Sequence, residues 1–206
     1  MASTLIRRLL TPADAEVRFL LAELDGAVRA DASLDTPLLL PGSFNPLHHG
    51  HELLARAAEA QTGREVTFEI SVVNVDKPPL SEDEVMRRLE QFRGQWRAVL
   101  TRAPTFLEKG RLFPGAAFVL GWDTAVRLVA PRYYGGVAAM QTAFEELRGL
   151  GCRFLVAGRA VDGTFMTLAD IEIPRGFAAM LEAIPESTFR ADVSSSDLRR
   201  SNSSDH

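Results

Sequence analysis

From Pro37 onward the chain alternates short, wholly apolar runs with longer stretches of helical period, and few folds accept that alternation. Leu38-Leu39-Leu40, the β-branched run 65–75, and residues 116–120 and 153–157 read as strands. Between them, residues 49–60 (closed by Gly63), 124–129 and 141–150 read as helices. A further helix opens at Ser81, with Glu84 three residues on as a capping box. It is read as long, because Val85, Met86, Leu89, Phe92, Trp96, Val99 and Leu100 keep helical spacing. Residues 177–183 and 195–200 read as closing helical pieces before a serine-rich tail. A strand that is apolar throughout has both faces buried, so helices must cover both sides of a parallel sheet. The expected fold is a doubly wound, Rossmann-like α/β domain over residues 37–206.

The segment before it is expected to add an N-terminal helix. Thr11 is read as its cap and Pro12 as its first residue, with Val17, Leu20, Leu21, Leu24 and Val28 on one face. A polar connector, 30–36, follows, so residues 1–36 are expected to be a helical extension. A lone amphipathic helix covers either a sheet edge or a subunit contact, which leaves a homo-oligomer open.

Composition narrows the partners. The 206 residues suit one well-buried core, and 46% hydrophobic with 24% charged residues is globular usage. With 23 basic and 27 acidic residues the net charge is −4, which argues against a nucleic-acid partner. The single cysteine, Cys152, lies in an apolar run, so an intramolecular disulfide is impossible and a reducing compartment is expected. No apolar run reaches the ~20 residues of a membrane span. Arg7 and Arg8 are followed by Asp14 and Glu16, unlike a secretion leader, so a cytoplasmic location is expected. No His, Cys and carboxylate cluster suggests a structural metal.

The chemistry concentrates after the first strand, in Pro41-Gly42-Ser43-Phe44-Asn45-Pro46-Leu47-His48-His49-Gly50-His51. In such sheets, ligands sit beyond the carboxyl ends of the strands. Gly42 and Gly50 permit close backbone approach, and the following helix presents free N–H groups and a positive dipole end to an anion. His48 and His51, three apart, can face one point and donate to phosphate oxygens, or in protonated form offset developing charge. Near the C-terminus, Ser194, Ser195 and Ser196 open a helix, with Arg199 one turn on; hydroxyls, free N–H groups and a guanidinium there suit a polyphosphate. The same residues alone would also read as an ordinary helix cap.

These two motifs resemble the signatures of the nucleotidylyltransferase superfamily, G-[TS]-F-[DN]-P-x-H-x-G-H and I-S-S-T-x-x-R. Gly42, Ser43, Phe44, Asn45, Pro46, His48, Gly50 and His51 match the first in order; Val193, Ser194, Ser195, Ser196 and Arg199 match the second, with Val for Ile and Ser for Thr. The Gly-Ser-Phe-Asn-Pro spelling is most similar to nicotinamide and nicotinate mononucleotide adenylyltransferases. Asn74-Val75-Asp76-Lys77-Pro78-Pro79 resembles their Asn-x-Pro-Pro-His-Lys region, although Leu80 stands where His is expected and Lys77 precedes the prolines. Gly121-Trp122-Asp123 resembles the family's Gly-x-Asp. Arg87 and Arg88 resemble the arginine that follows the Pro-Pro segment. More narrowly, Asp-Lys-Pro-Pro-Leu, Gly-Trp-Asp-Thr-Ala and Pro-Arg-Tyr-Tyr-Gly-Gly are similar to a cytidylyltransferase-like branch, some members of which are joined to a CinA-type domain.

The resemblance implies transfer of AMP from ATP to a phosphorylated acceptor, nicotinamide or nicotinate mononucleotide, with release of pyrophosphate. It implies His48, His51, Lys77 and Arg199 as catalytic residues. Gly42, Ser43, Phe44, Asn45, Gly50, Gly121, Asp123, Ser194, Ser195 and Ser196 would bind the nucleotide, and Trp122 and Arg88 the acceptor. Mg²⁺ is expected on the nucleotide phosphates rather than on a protein metal site. Two alternatives stay open: a cytidylyltransferase using CTP with another phosphorylated small molecule, and a nucleotide-binding sensor without turnover. A class I aminoacyl-tRNA synthetase shares the His-x-Gly-His logic, but the chain lacks its Lys-rich second signature.

Overall fold

The computed structural model describes residues 1–11, 16–73 and 78–189. Helix α1 (Ala2–Leu10) leads into an antiparallel hairpin of β1 (Phe19–Ala22) and β2 (Val28–Ala30). Then β3 (Leu38–Pro41), α2 (His49–Thr62), β4 (Val66–Ser71), α3 (Glu82–Glu90) and β5 (Arg97–Thr101) build the first half of the sheet. After α4 (Phe106–Leu112), the chain crosses to β6 (Ala117–Gly121), α5 (Trp122–Leu128), α6 (Val137–Gly149) and β7 (Arg153–Ala157). A small hairpin, β8 (Arg159–Val161) and β9 (Thr164–Met166), precedes β10 (Leu181–Ile184).

The sheet has eight strands in the order β10-β7-β6-β3-β4-β5-β1-β2. The six from β10 to β5 run parallel; β1 pairs antiparallel with β5, and β2 with β1. Alternation in each strand divides the core between two faces: Leu38 and Leu40 join one layer, Leu39 the other. Helices α1, α2 and α3 cover the first face and α4, α5 and α6 the second. The doubly wound fold expected from the apolar runs is present. Strand order reverses between β3 and β6, and from there α2 and α5 leave to opposite faces. Two neighbouring loops therefore diverge at the carboxyl ends, which opens a crevice.

Local chemistry explains most of the boundaries. Helix α2 stops at Gly63, whose φ of 67° places it in the left-handed region that favours glycine. Ala55, Ala57 and Ala58 are buried, and their small side chains let the helix lie close on the sheet. Thr105 and Glu108 form a reciprocal capping box at α4. At α3, Ser81 accepts from the Glu84 N–H, but the Glu84 carboxylate turns to Arg87 and Arg88 rather than back to the cap.

Four expectations need correction. The first helix ends at Thr11 rather than beginning there, and residues 19–30 are a hairpin. Phe19 and Leu21 face one core, Leu20 and Ala22 the other. At the turn, the Asp25 carboxylate accepts from the Ala27 N–H, and Gly26 adopts a φ of 84°. Those are Asp-Gly hairpin signals that a coincident helical spacing concealed. Second, the helix begun at Ser81 ends at Glu90; a turn through Gly94 (φ 77°) leads to β5, where Ala98, Val99 and Leu100 are buried on both faces. Third, residues 181–184 are the strand β10, with only one turn of 3₁₀ helix at Ala178–Met180 before it. Fourth, α6 starts at Val137 and not at Gln141. Helix α4, whose Thr105 cap was visible, was not anticipated. The closing helix expected at 195–200 lies outside the described residues.

One charged network lies inside the second face. Glu69 on β4 is 1% exposed and accepts from Lys109 Nζ of α4 (2.9 Å) and Thr101 Oγ1 of β5 (2.6 Å). Lys109, itself 5% exposed, also donates to the Ala103 carbonyl. Among the described residues, no helix is long and apolar enough to cross a membrane.

Candidate active site

The loop between β3 and α2 is built around an inverted aromatic. Phe44 takes a φ of 43° in the left-handed region, which turns its ring back into the core, where it is 1% exposed. It packs edge-on to Phe68 and Phe92, and also to His51 at 4.9 Å between centroids. Glycine at 42 follows from this: a Cβ there would lie 2.5 Å from Phe44 Cζ. Gly42 is thus required by the ring beneath it, and the Phe44 side chain supports the site instead of facing a ligand. The Gly42 N–H donates to the Glu69 carbonyl, tying the loop to β4. The Asn45–Pro46 peptide is cis.

His48 is the N-cap of α2, in extended backbone conformation, and Gly50 and His51 lie in its first turn. The His48 and His51 rings stack with centroids 3.6 Å apart and planes 23° from parallel. The expected pair is therefore brought together. The His48 backbone N–H donates to His51 Nδ1 at 3.3 Å. An Nδ1 that accepts leaves the ring proton on Nε2, so His51 is poised as a donor from that nitrogen. Burial first, then the charge of neighbouring His48, pushes the His51 imidazole down to about 3. Without a ligand its donor is thus the neutral N–H near pH 7, the first of the two forms in which the sequence offers it.

Helix α3 grips the back of the loop. Arg88, 7% exposed, donates from Nη1 to the Ser43 carbonyl (2.8 Å) and from Nε and Nη2 to Glu84 Oε1 (2.8 and 2.6 Å). Gln91 accepts from the Leu47 N–H (2.7 Å) and donates to the Phe44 carbonyl (3.1 Å) and the Arg88 carbonyl (3.2 Å). The exposed Arg87 donates to Asn45 Oδ1 (2.6 Å) and to Glu84. Arg87 first, then Arg88, hydrogen-bonds the Glu84 carboxylate and holds it down at about 2. Arg88, expected at an acceptor, is buried under the loop instead.

Across the switch point, Gly121 is the N-cap of α5, and Cβ space beside it is open. Asp123 pairs with Arg159, the first residue of β8. Trp122 is half-buried against the second core, and its indole N–H donates to the Thr167 carbonyl at 3.1 Å. Gly158 must be glycine, since a Cβ would meet the Met166 carbonyl oxygen and the Phe165 ring at 2.6 Å each. That close contact lays the β8–β9 hairpin beside the end of β7. Lys77, Ser194, Ser195, Ser196 and Arg199 lie outside the described residues.

Reading the sequence missed Glu84 as an organiser of arginines, Gln91 as a bond partner of the loop, and Arg159 as the partner of Asp123. A signal existed for the first two: positions 84, 87, 88 and 91 are all polar at i, i+3, i+4 and i+7. None existed for Arg159, because its pairing depends on strand neighbours. Two cavities, of about 410 and 540 Å³, lie at the opposite ends of the strands around Arg64, Glu65 and Arg97, and the loop lines neither.

Comparison with protein families matches residues 39–201 to the cytidylyltransferase-like family. The chain belongs to that family. The match begins inside β3 and carries both motifs, so the chain is assigned to the nucleotidyltransferases, with a nucleoside triphosphate and a phosphorylated substrate as the general ligands. No curated protein matches the chain.

Proposed function

We propose that the protein transfers AMP from ATP to the phosphate of a nicotinamide or nicotinate mononucleotide, releasing pyrophosphate. The observation that supports phosphoryl-centred transfer is the stacked His48–His51 pair, with its Nε2 donor, at the start of α2 beside the β3–β6 switch point; the choice of AMP and a pyridine mononucleotide rests on the Gly42-Ser43-Phe44-Asn45-Pro46 spelling.

An acceptor phosphate oxygen attacks the α-phosphorus in line; the bond to the oxygen bridging α- and β-phosphorus breaks, and pyrophosphate departs with that electron pair. A phosphate monoester is already nucleophilic near neutral pH, so neither a covalent intermediate nor a protein base is needed. Positioning and charge stabilisation supply the catalysis. His51 would donate from Nε2 to an α-phosphoryl oxygen, with His48 beside it. Ser195, Ser196 and Arg199 would hold the β- and γ-phosphates, and Lys77 the acceptor side. Asp123, oriented by Arg159, would meet the nucleoside. The donors on the loop are N–H groups that suit phosphate oxygens; a Mg²⁺ ion brought by the nucleotide would be held by phosphate oxygens and water, adding charge neutralisation.

The test is pyrophosphate release with Mg²⁺ and either ATP or CTP, against nicotinamide mononucleotide, nicotinate mononucleotide, phosphopantetheine and glycerol 3-phosphate. Release with ATP and a pyridine mononucleotide is expected. His51→Ala should lower turnover by at least about 10²-fold with the fold intact, the scale of losing one transition-state donor. CTP-dependent release with another acceptor would replace the adenylyl reading, and nucleotide binding without release would make the protein a sensor.

A further inference from the structure

We infer that Glu84 and Arg88 of α3, together with Gln91 at its C-cap, form a positioning device that sets the orientation of His51 through the backbone of residues 43–48. The inference rests on the reading of that loop as the phosphate-binding element.

The loop carbonyls of Ser43 and Phe44 and the Leu47 N–H all end on side chains of α3 or of its C-cap, Gln91. Those side chains are themselves fixed, Arg88 by two bonds to Glu84 and Gln91 by the Arg88 carbonyl. Leu47 immediately precedes His48, whose N–H sets the His51 tautomer. A chain of bonds therefore runs from α3 through Gln91, Leu47 and His48 to the His51 ring. Gln91 uses its amide in both senses, acceptor at Leu47 and donor at Phe44, so a side chain with only one polarity cannot replace it. Arg88 bridges a carbonyl and a carboxylate with three N–H groups of one planar head, a geometry that a lysine lacks. None of these groups needs to touch a substrate; they act on the residue that does.

The experiment compares Gln91→Leu, Gln91→Glu and Arg88→Lys with the full-length protein, with Met86→Gln on the exposed side of α3 as control. Ring-nitrogen NMR of His51 reads the tautomer directly. The wild type and the control should show the Nε2–H form, whereas Gln91→Leu should show a mixture of tautomers with overall folding retained. Turnover of Gln91→Leu should fall about 10–10²-fold, the scale of a small misplacement, mainly in kcat and with nucleotide KM changed by less than about threefold. Gln91→Glu, which keeps the acceptor alone, should fall between. A folded Gln91→Leu with an unaltered tautomer overturns the inference, as does a fall confined to KM. Should a variant not fold, Arg88→Lys carries the same two readouts. The tautomer measurement needs no substrate, so it stands even if the wild-type protein transfers no nucleotide.

Discussion

His51 is held by its surroundings more than by its own helix: edge-on contact with Phe44, stacking on His48, and a backbone N–H on Nδ1. Keeping such an imidazole neutral has a pH signature. Folded, it takes up a proton only near pH 3; unfolded, it does so below about 6.5. Between those values the unfolded chain binds the extra proton, so stability falls as pH falls through the window and is fully present above about 6.5. The slope from this one group is about 1.4 kcal/mol per pH unit well inside the window. His51→Gln should therefore lose less thermal stability than the wild type between pH 7 and pH 4.5; parallel losses would count against a neutral His51. Glu84 adds to the acid limb only lower down, from about 4.5 towards 2, because its carboxylate is held ionised by Arg87 and Arg88. At this scale the sequence was informative about identity and less so about environment. The spacing of His48 and His51 was visible; that Phe44 would invert beneath them, and so depress one ring, was not.

At the scale of elements, the clearest dependence is that of α4 on β4. Lys109 is the ionic partner of a carboxylate in a largely apolar layer, and its removal would leave Glu69 with the Thr101 hydroxyl but without that ion pair. Lys109→Met should cost about 3–5 kcal/mol in denaturant unfolding, and Glu69→Leu combined with it should recover a large part, since an apolar pair avoids the desolvation cost. Equal destabilisation by the single and double variants would refute a dominant ionic contribution. This network escaped the sequence reading altogether. Glu69 sits in a β-branched run and Lys109 forty residues later, and only the parallel pairing of β4 with β5 puts α4 over that strand. Strands themselves were legible where both faces are apolar, as at Leu38-Leu39-Leu40, and obscured where a helical period coincided, as at 97–101.

For the whole molecule, the N-terminal segment turns out to complete the sheet. Ile6 and Leu9 of α1 are fully buried in the first core, and Arg7 and Ser3 hold Glu82 at the start of α3. Strand β1 covers the β5 edge by four residue pairs, leaving the short, polar-flanked β2 as the exposed edge. Deleting residues 1–33 should uncover β5, whose buried side chains and free backbone groups are a template for pairing with another chain. Concentration-dependent self-association, followed by light scattering, is expected for the truncated protein; a monomeric, equally stable product would show that the hairpin is dispensable.

Local pattern by itself determined the doubly wound class, the histidine motif and its place after the first parallel strand, because strand burial, helix period and loop chemistry are each written over a few consecutive residues. The tertiary structure decided what depends on neighbours distant in the chain. Residues 19–30 match two periods at once, and the unpaired edge of β5 selects the strand. Arg88 resembles a substrate-binding arginine by position, yet packing beneath Ser43 commits its donors to the loop. In each case the residue's own chemistry permits both outcomes, and burial against a partner tens of residues away chooses between them.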